Sequence, residues 1–439
     1  MKTNHKISQK VSRRQFVSQA LTATAGFYIV PRYVLGGKGF TAPSDEIVLG
    51  FIGTGKQSKG LQNNFMNRPG TRVIAGCDVD SLKLARFEQL ARDYYAEKLG
   101  QTDYKGVKTF GDFNELLELS EIDAVVIATP DHWHAIQTVR AAAKGKDVYC
   151  EKPMAHTIEE GQAMIAAVKK YGRVFQTGSM QRSRDTFHKA CELVRNGYIG
   201  DIKQVLVSVG PPPVPCELPN EPTPDYLDWE NWNGPAPRRG YHPELSPHIS
   251  NDVFPHWRNY AEYGGGMVTD WGAHMFDIAQ WGLGMDRSGP VRFVPPGGDN
   301  PKEGMTFYYE NGVEMIHKDF GRGNAVRFIG SKGSIDISRS FFESTPEGLV
   351  NAEIKAGDVR LYNSRDHYTD WLEGIRNRTQ PICDVETGHR TASVCTIANI
   401  AYKLKRELNW DPKKEVFKKD KEANGLLGKQ MRAPWNLSV

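Results

Sequence analysis

Three side chains in two distant segments have the types and spacing that proton transfer needs. Lys152 follows an apolar, strand-like run, where an ammonium group requires a partner or a ligand. Asp270 and His274 are four residues apart in a helical pattern, so they share one helix face, and an acid one turn before a histidine can orient its ring. The competing structural interpretation is a packed histidine and a surface lysine paired with Glu151 or Asp131. Together the three residues predict an acid–base site formed by two parts of the chain.

A glycine-rich turn between a predicted strand and a predicted helix indicates where a dinucleotide would bind. It reads Gly53-Thr54-Gly55-Lys56-Gln57-Ser58, with Ser58 in the place of the usual third glycine. The first glycine permits the tight turn, and the second lets the backbone approach a pyrophosphate. Asp78 comes 25 residues after Gly53, where it can accept hydrogen bonds from ribose hydroxyls. Asp80 adds a carboxylate that would repel a 2′-phosphate, so the sequence predicts NAD rather than NADP.

Short apolar runs and helical patterns alternate between residues 45 and 178, which we interpret as the first domain. The predicted strands are 47–52, 72–77, 123–129, 147–150 and 173–177, and the predicted helices lie near 58–67, 81–98, 134–144 and 157–171. This alternation predicts a parallel, doubly wound α/β sheet. Ligands of such sheets bind at the carboxyl ends of the strands, where Thr129-Pro130 and Glu151-Lys152 lie.

Residues 179–439 show a different pattern and are predicted to form the second domain. A helix near 183–196 and a strand at 202–209 precede a long segment, 211–263, rich in proline and aromatic residues. Aromatic faces suit the C–H faces of sugar rings, although single rings of this kind more often pack a segment on its own domain. Further strands are predicted at 291–294, 305–309, 313–317, 325–329 and 334–337, and helices near 366–377 and 389–408. We expect these two helices to pack on the first domain.

The N-terminal 44 residues have the composition of an export leader. They carry seven Lys or Arg residues and no acidic residue. Ser12-Arg13-Arg14-Gln15-Phe16 precedes a short, mildly apolar stretch and a small-residue run, a pattern typical of the twin-arginine route. The apolar stretch is too short to span a bilayer, and no other segment approaches a spanning length. We therefore expect a periplasmic protein that is exported already folded.

The composition argues against several classes of function. Outside the leader, 49 basic and 52 acidic residues remain, a balance that gives no electrostatic basis for binding nucleic acid or an anionic membrane. The six cysteines are scattered without metal-ligand spacing, so we expect them to be core residues. No metal site is predicted, because Asp270, His274 and Asp277 lack a second histidine or a thiol at ligand spacing.

These motifs resemble those of the Gfo/Idh/MocA superfamily of oxidoreductases. The resemblance extends from Ile47 to Trp435 and rests on the glycine turn, Asp78, Ala128-Thr129-Pro130, Glu151-Lys152-Pro153 and the run from Gly264 to His274. Two later runs, Asn399-Ile400-Ala401-Tyr402 and Arg432-Ala433-Pro434-Trp435, resemble its secreted bacterial branch. The resemblance implies a Rossmann domain followed by an α/β domain with an open, mainly antiparallel sheet. It also implies a homo-oligomer whose subunits meet through the exposed face of that sheet.

The same resemblance implies roles for the candidate residues. Lys152, Asp270 and His274 would be the catalytic set. The residues implied to bind the cofactor are Gly53, Thr54, Gly55, Lys56, Gln57, Ser58, Asp78, Thr129, Pro130, His132, His134, Glu151 and Lys152. The residues implied to bind the substrate are Lys152, Arg182, Trp257, Tyr263, Asp270 and His274.

The resulting hypothesis is an NAD-dependent oxidoreductase that acts on a hydroxyl of a carbohydrate or glycoside. Nicotinamide cofactors do not pool outside the inner membrane, so the cofactor would be tightly bound and recycled internally. Three alternatives stay open: a redox-neutral glycosidase that oxidises C3, eliminates the aglycone and restores the cofactor; a sugar reductase that uses external cofactor; and a non-catalytic sugar sensor. The Glu-Lys-Pro motif favours the dehydrogenase, because the NAD-dependent glycosidases of the superfamily often lack this lysine. The three catalytic candidates together argue against the sensor.

Overall fold

Two β-sheets organise the chain from Ile47 onward into one unit. The computed structural model describes residues 45–299 and 301–438, and the predicted export leader, residues 1–44, lies outside the described residues. Within those ranges, no helix has both the length and the apolar character needed to cross a membrane.

The first sheet has six parallel strands in the order β3-β2-β1-β4-β5-β6. The strands are β1 Ile47–Ile52, β2 Thr71–Cys77, β3 Lys108–Phe110, β4 Ala124–Ile127, β5 Asp147–Cys150 and β6 Phe175–Thr177. Strand β1 is buried along its whole length, because helices cover both faces of a doubly wound sheet. The strand order is that of dinucleotide-binding α/β domains, as the sequence predicts.

Five helices accompany this sheet. They are α1 Lys56–Met66, α2 Ser81–Leu99, α3 Phe113–Leu117, α4 Asp131–Ala143 and α5 Ile158–Lys170. Asp80 caps α2 by accepting hydrogen bonds from the main-chain N–H groups of residues 82 and 83, and Thr157 and Glu160 form a capping box on α5. Helix α1 begins after Gly55 without a side-chain cap, an arrangement suited to an anionic ligand at its first turn.

The second sheet has nine strands in the order β13-β12-β11-β7-β10-β9-β8-β14-β15. Neighbouring strands are antiparallel except for β7 and β10, so the sheet is mixed and mainly antiparallel. The strands are β7 Ile202–Ser208, β8 Arg292–Val294, β9 Thr306–Tyr308, β10 Glu314–His317, β11 Ala325–Gly330, β12 Ser334–Ile337, β13 Phe342–Thr345, β14 Leu408–Asp411 and β15 Val416–Phe417.

The remaining helices surround the second sheet and extend to the first. They are α6 Asp185–Arg195, α7 Trp229–Asn233, α8 Gly266–Asp270, α9 Gly272–Leu283, α10 His367–Asn377, α11 Val385–Leu404 and α12 Lys421–Asn424, with 3-10 turns at Met180–Ser183, His256–Asn259 and Leu349–Asn351. Helices α6 and α9 pack on one face of the second sheet. Trp371 of α10 contacts the rings of Phe65 and Tyr149 in the first domain, and α11 lies along α5.

The C-terminal elements differ from the sequence prediction. The long helix was expected to continue to 408 and to end at Asp411-Pro412, but α11 ends at Leu404 and Lys405 adopts a left-handed conformation with φ 53°. The residues after it form β14, which pairs with β8 and in which Leu408 and Trp410 are buried. Alternating burial over so few residues is a weak sequence signal, so the helical pattern dominated the prediction.

Candidate active site

A cavity of about 710 Å³ opens at the carboxyl ends of the parallel strands and extends to the second domain. Its walls include residues that directly follow β1, β2, β4 and β5. The second domain contributes Asp270 at the end of α8, His274 in α9, and Trp271, which lies between the two helices. This is where ligands bind in doubly wound sheets. The cavity therefore connects the predicted dinucleotide turn with the predicted acid–base residues.

The glycine turn has the geometry that close approach of a pyrophosphate requires. Gly53 has a φ of +86°, and a Cβ placed there would lie 2.8 Å from the main chain of residues 128 and 129, so only glycine fits. A Cβ at Gly55 would meet no atom within 4 Å, which leaves open space beside the turn. The guanidinium of Arg86 donates hydrogen bonds to the main-chain oxygens of Thr54 and Gly55, at 2.6 and 3.0 Å, and so fixes the turn. These residues fit a bound dinucleotide.

Asp78 lies at the end of β2 on the cavity wall. Its Oδ2 accepts hydrogen bonds from the N–H and Oγ1 of Thr54, at 2.6 and 2.9 Å, and burial raises its pKa. Asp80 does not present a second free carboxylate to the cavity, contrary to the sequence-based expectation. Its side chain caps α2 and pairs with Lys83 at 2.8 Å. Discrimination between NAD and NADP would therefore depend on Asp78.

Most of the predicted cofactor residues lie on the cavity wall. They are Gly53, Gly55, Lys56, Gln57, Asp78, Thr129, Pro130, Glu151 and Lys152. Gln57 donates a hydrogen bond to the buried carboxylate of Glu151 at 3.1 Å, which links α1 to the end of β5.

Four predicted cofactor residues are not on the wall. Thr54 is turned to Asp78, and Ser58 is buried in helix α1 with an unpartnered hydroxyl. His132 Nε2 lies 3.2 Å from the carbonyl of residue 232, and the ring of His134 lies 2.9 Å from two carbonyl oxygens, of residues 129 and 153. Burial lowers the pKa of His132 to about 3 and that of His134 to about 4. Both histidines hold loops together instead of lining the cavity.

Lys152 and Asp270 form the centre of the second half of the cavity. Lys152 Nζ donates to Asp270 Oδ1 at 2.7 Å and to the main-chain oxygen of the same residue at 2.9 Å. Arg258 approaches the same carboxylate, with Nε 3.3 Å from Oδ1. Burial alone would raise the pKa of Asp270, but the charges of Lys152 and Arg258 outweigh it and lower the pKa. The carboxylate is therefore ionised and paired with two cations.

His274 lies on the same wall. The sequence predicts that Asp270 orients the His274 ring, and the structure shows no such contact among the described residues. Among the described residues no hydrogen bond joins the two side chains, and His274 Nδ1 is buried without a partner. The predicted single helix is divided, because α8 ends at Asp270 and α9 begins at Gly272. Burial, and then the charges of Lys152 and Arg339, lower the pKa of His274 well below its ordinary value. The imidazole is neutral at neutral pH and can accept a proton.

Of the other predicted substrate residues, only Trp257 lines the cavity. Arg182 is fully buried, where its guanidinium donates two hydrogen bonds to Asp277 and one to Asp286, each at 2.8 Å. A buried guanidinium requires such acidic partners, so its role is structural. Tyr263 is also buried and donates to Asn233 Oδ1 at 2.6 Å. Neither Arg182 nor Tyr263 lines the cavity, so the structure places both away from the predicted substrate site.

The aromatic segment mostly packs on itself. Its buried rings form one cluster, which contains Leu227, Trp229, Trp232, Ala236, Tyr241, Leu245, Trp257, Tyr260 and Tyr263. The rings of this segment that also line the cavity are those of Trp232, His248, Phe254, His256 and Trp257. The packing interpretation therefore describes the segment better than a sugar-binding surface made of many rings.

Several cavity residues were missed by sequence reasoning. They are Met180, Arg258, Trp271 and Arg339. Asp131, which the sequence offered only as a partner for Lys152, also lines the cavity. Its buried Oδ2 has no hydrogen-bond partner in the part of the chain that the structure describes, and burial, and then the charge of Asp270, raise its pKa well above its ordinary value. Its position after Thr129-Pro130 was a usable signal, whereas no local pattern marks Arg339, which lies in the turn between β12 and β13.

The cysteines and acidic groups show no sign of metal chemistry in the part of the chain that the structure describes. No group of three His, Cys, Asp or Glu side chains there could hold a metal ion. All six cysteines are free, and five of them are buried, as expected of core residues. Asp277, which the sequence placed near His274, is occupied by Arg182.

A six-stranded parallel sheet, an open glycine turn and an adjoining acid–base cluster define a two-domain, NAD-binding oxidoreductase fold. The chain belongs to the Gfo/Idh/MocA oxidoreductase family. The model of the family's NAD-binding Rossmann fold matches residues 47–179, and that of its C-terminal alpha/beta domain matches residues 215–437.

Relatives of the chain include oxidoreductases and glycosidases. It is 25% identical over 341 residues to the uncharacterized oxidoreductase YrbE of Bacillus subtilis (strain 168). That match covers 75% of this chain and 84% of YrbE. It is 40% identical over 116 residues to glycosyl hydrolase family 109 protein 2 of Shewanella sp. (strain ANA-3), but that match spans 26% of this chain and 25% of the glycosidase. The aldose-aldose oxidoreductase from Caulobacter crescentus, complexed with glycerol, has 20% identity and a TM-score of 0.57, over 83% of this chain and 99% of that one. This structural likeness concerns the fold.

Proposed function

We propose that the protein is an NAD-dependent oxidoreductase acting on a hydroxyl of a carbohydrate or glycoside. One observation carries the proposal: Lys152, Asp270 and His274 share a cavity with the open glycine turn. The aldose-aldose oxidoreductase with the same fold supports a sugar substrate by analogy.

The residues proposed to hold NAD are those on the first half of the cavity wall. The glycine turn and the first turn of α1 would receive the pyrophosphate, and Asp78 the adenosine ribose. When bound, NAD would supply a hydride acceptor at C4 of its nicotinamide ring.

The protein's own groups would manage the proton of the substrate hydroxyl. Two N–H groups of the Lys152 ammonium donate to Asp270. The third N–H is left to donate to the substrate oxygen. That contact would stabilise negative charge as the oxygen loses its proton. His274 is neutral and would accept the proton. Asp270 and Arg258 would keep the lysine in position.

A segment from the second domain supports the further proposal that the cofactor stays bound. We name residues 245–258 the strap, because nearly all of them line the cavity and reach the glycine turn. Lys56 pairs with Asp252 at 3.0 Å and lies 5.3 Å from the centre of the Phe254 ring. At its other end, Arg258 pairs with Asp270. The strap thus contacts both halves of the site and would have to move before a dinucleotide could leave.

Removing the strap contacts should release the cofactor faster. The double variant Asp252→Ala, Phe254→Ala loses an exposed ion pair and a cation–π contact between the strap and Lys56, so NAD should dissociate about tenfold faster. The measurement is the nucleotide remaining after timed dialysis, quantified after denaturation. Both side chains are largely exposed, so the fold should be unaffected.

The matched control is Val214→Ala, an exposed residue of the same long segment that does not line the cavity. It should retain NAD as the wild type does. Equal retention by the double variant would show that the strap does not hold the cofactor.

The function itself is tested with the purified protein. Denaturation should release NAD in amounts close to the protein concentration. One member of a panel of sugars and glycosides should raise the absorbance of the native protein at about 340 nm, where reduced nicotinamide absorbs. A second sugar, an aldose or ketose, should then reverse the change. Protein without nucleotide, or with NAD that no sugar reduces, would contradict the proposal.

The glycosidase remains a second candidate, because of the 40% identity to the family 109 protein. Release of an aglycone without net change in absorbance would favour it. Lys152 favours the dehydrogenase by resemblance, since related NAD-dependent glycosidases often lack it.

We further propose that the protein is exported by the twin-arginine route and works in the periplasm as a homo-oligomer. The Arg13-Arg14 leader motif supports the export route, which carries folded proteins and so could carry a bound cofactor. The proposed oligomer rests on the resemblance to the family.

A further inference from the structure

Arg339 brings to the substrate half of the cavity a guanidinium that has no acidic partner. It lies in the turn between β12 and β13, on the cavity wall with Lys152 and His274. Its Nε donates to Gln181 Oε1 at 3.2 Å. Within residues 45–299 and 301–438, neither terminal nitrogen of Arg339 has a hydrogen bond or an ion pair to the protein.

Two contacts hold the guanidinium in place. Gln181 is completely buried, so the acceptor for Nε is fixed. The guanidinium carbon lies 4.7 Å from the centre of the Trp271 ring, and the same ring contacts the His274 ring at 5.6 Å. The guanidinium therefore lies over the Trp271 ring, which also contacts the proposed base, and its two terminal nitrogens have no partner among the described residues. Such a fork is suited to two parallel hydrogen bonds with an oxyanion.

Arginines elsewhere on the same part of the sheet are paired. Arg327 forms two hydrogen bonds with Asp336, at 2.7 and 2.6 Å, and Arg322 pairs with Glu343 at 2.7 Å. Arg339 is the next arginine in the chain after Arg327, and among the described residues it forms no ion pair. The contrast indicates that its charge is kept available.

The charges around Arg339 leave this end of the cavity positive. Asp270 is already paired with Lys152 and Arg258, and the buried Glu151 accepts from Gln57. Asp131 is held towards its neutral form by burial. Burial, and then the charge of Arg184, lower the pKa of Arg339, while the charges of Glu151 and Asp270 act in the opposite direction with a smaller effect. An anionic ligand would relieve this repulsion.

We infer that the substrate sugar carries an oxyanion, a carboxylate or a phosphate, which Arg339 binds while Lys152 and His274 engage the reacting hydroxyl. This inference rests on the proposed function for the reacting hydroxyl but not for the anion site.

The test measures binding to the NAD-loaded protein by titration calorimetry. The probes are glucuronate and galacturonate for the carboxylate, glucose 6-phosphate for the phosphate, and glucose and galactose as neutral sugars. We expect at least one charged sugar to bind about tenfold or more tightly than its neutral counterpart. High salt, on the order of 0.5 M, should reduce this difference in affinity, because salt screens the attraction between exposed charges. The tighter class identifies the anion.

Variants separate the contribution of Arg339. Arg339→Met should abolish the preference for the charged sugar and leave binding of the neutral sugar unchanged, whereas Arg339→Lys should keep part of the preference. Arg238→Met, at a largely exposed arginine outside the cavity, is the control and should behave as the wild type. Neutral sugars that bind as tightly as all charged ones, or a preference that survives in Arg339→Met, would overturn the inference.

Absorbance of the cofactor distinguishes this inference from the proposed function. If charged sugars bind through Arg339 but none reduces the bound NAD, the anion site stands and the oxidoreductase proposal fails. If a neutral sugar reduces NAD in the wild type and no charged sugar binds more tightly than its neutral counterpart, the oxidoreductase proposal stands and the anion site fails.

Discussion

Lys152→Met should lower turnover by about 10²–10³-fold, equivalent to about 3–4 kcal/mol of transition-state stabilisation. Methionine keeps the length and apolar stem of lysine but cannot donate to a substrate oxygen that is losing its proton. The change also leaves Asp270 with Arg258 as its single paired cation. The measurement is the rate at which the best sugar of the panel reduces the bound NAD in a single turnover.

The nucleotide content of the variant separates a chemical effect from a binding effect. The hydrogen bonds of Lys152 go to Asp270 and not to the glycine turn, so Lys152→Met should retain NAD as the wild type does. Lys105→Met, at a highly exposed lysine, is the control for the loss of a positive charge. Near-normal turnover in Lys152→Met would remove Lys152 from the mechanism.

The parts of the fold that could be predicted are those with strong local patterns. Strand β1 was predicted with its observed bounds, because a strand buried on both faces is a continuous apolar run that ends in a glycine turn. Strand β3 has the sequence Lys-Thr-Phe and lies at the sheet edge with exposed residues, so nothing local marks it. Short edge strands gain their conformation from the neighbouring strand, which a sequence pattern does not contain.

The site shows the same division. Lys152, Asp270 and His274 could be placed near one another, because the first follows a strand of the parallel sheet and the other two follow a glycine bend. Their partners could not be predicted. Arg258 pairs with Asp270 only because the strap returns across the cavity, and the expected contact between Asp270 and His274 is replaced by ion pairs with Lys152 and Arg258.

Polar residues at strand ends were the main source of error. His132 and His134 stand where ligands bind in this fold, but their rings meet main-chain carbonyl groups. For His132 that carbonyl belongs to residue 232, which is 100 positions away. Whether a polar side chain faces a cavity or a distant carbonyl is decided by tertiary packing, as it is for Arg182 and Asp277.

His274→Ala should lower turnover by about 10²–10⁴-fold, the usual contribution of a general base. The buried imidazole is neutral, its Nδ1 has no partner among the described residues, and it shares the cavity wall with Lys152. Removing the ring leaves a space beside Trp271 that imidazole from solution could enter. Added imidazole should therefore restore part of the single-turnover rate, which a purely structural role for His274 would not produce. His242→Asn, at a histidine outside the cavity wall, should leave the rate unchanged.

The pH dependence of kcat/KM gives an independent test of the same assignment. A base must be deprotonated to act, and burial, followed by the charges of Lys152 and Arg339, lowers the pKa of His274 well below 6.5. We therefore expect kcat/KM to stay high as the pH falls through about 6.5, where an ordinary histidine would become protonated, and to decline only at lower pH. An acid limb centred near about 6.5 would instead assign the base to a solvated histidine. In His274→Ala the limb should disappear from the residual activity, because the group that titrates is gone.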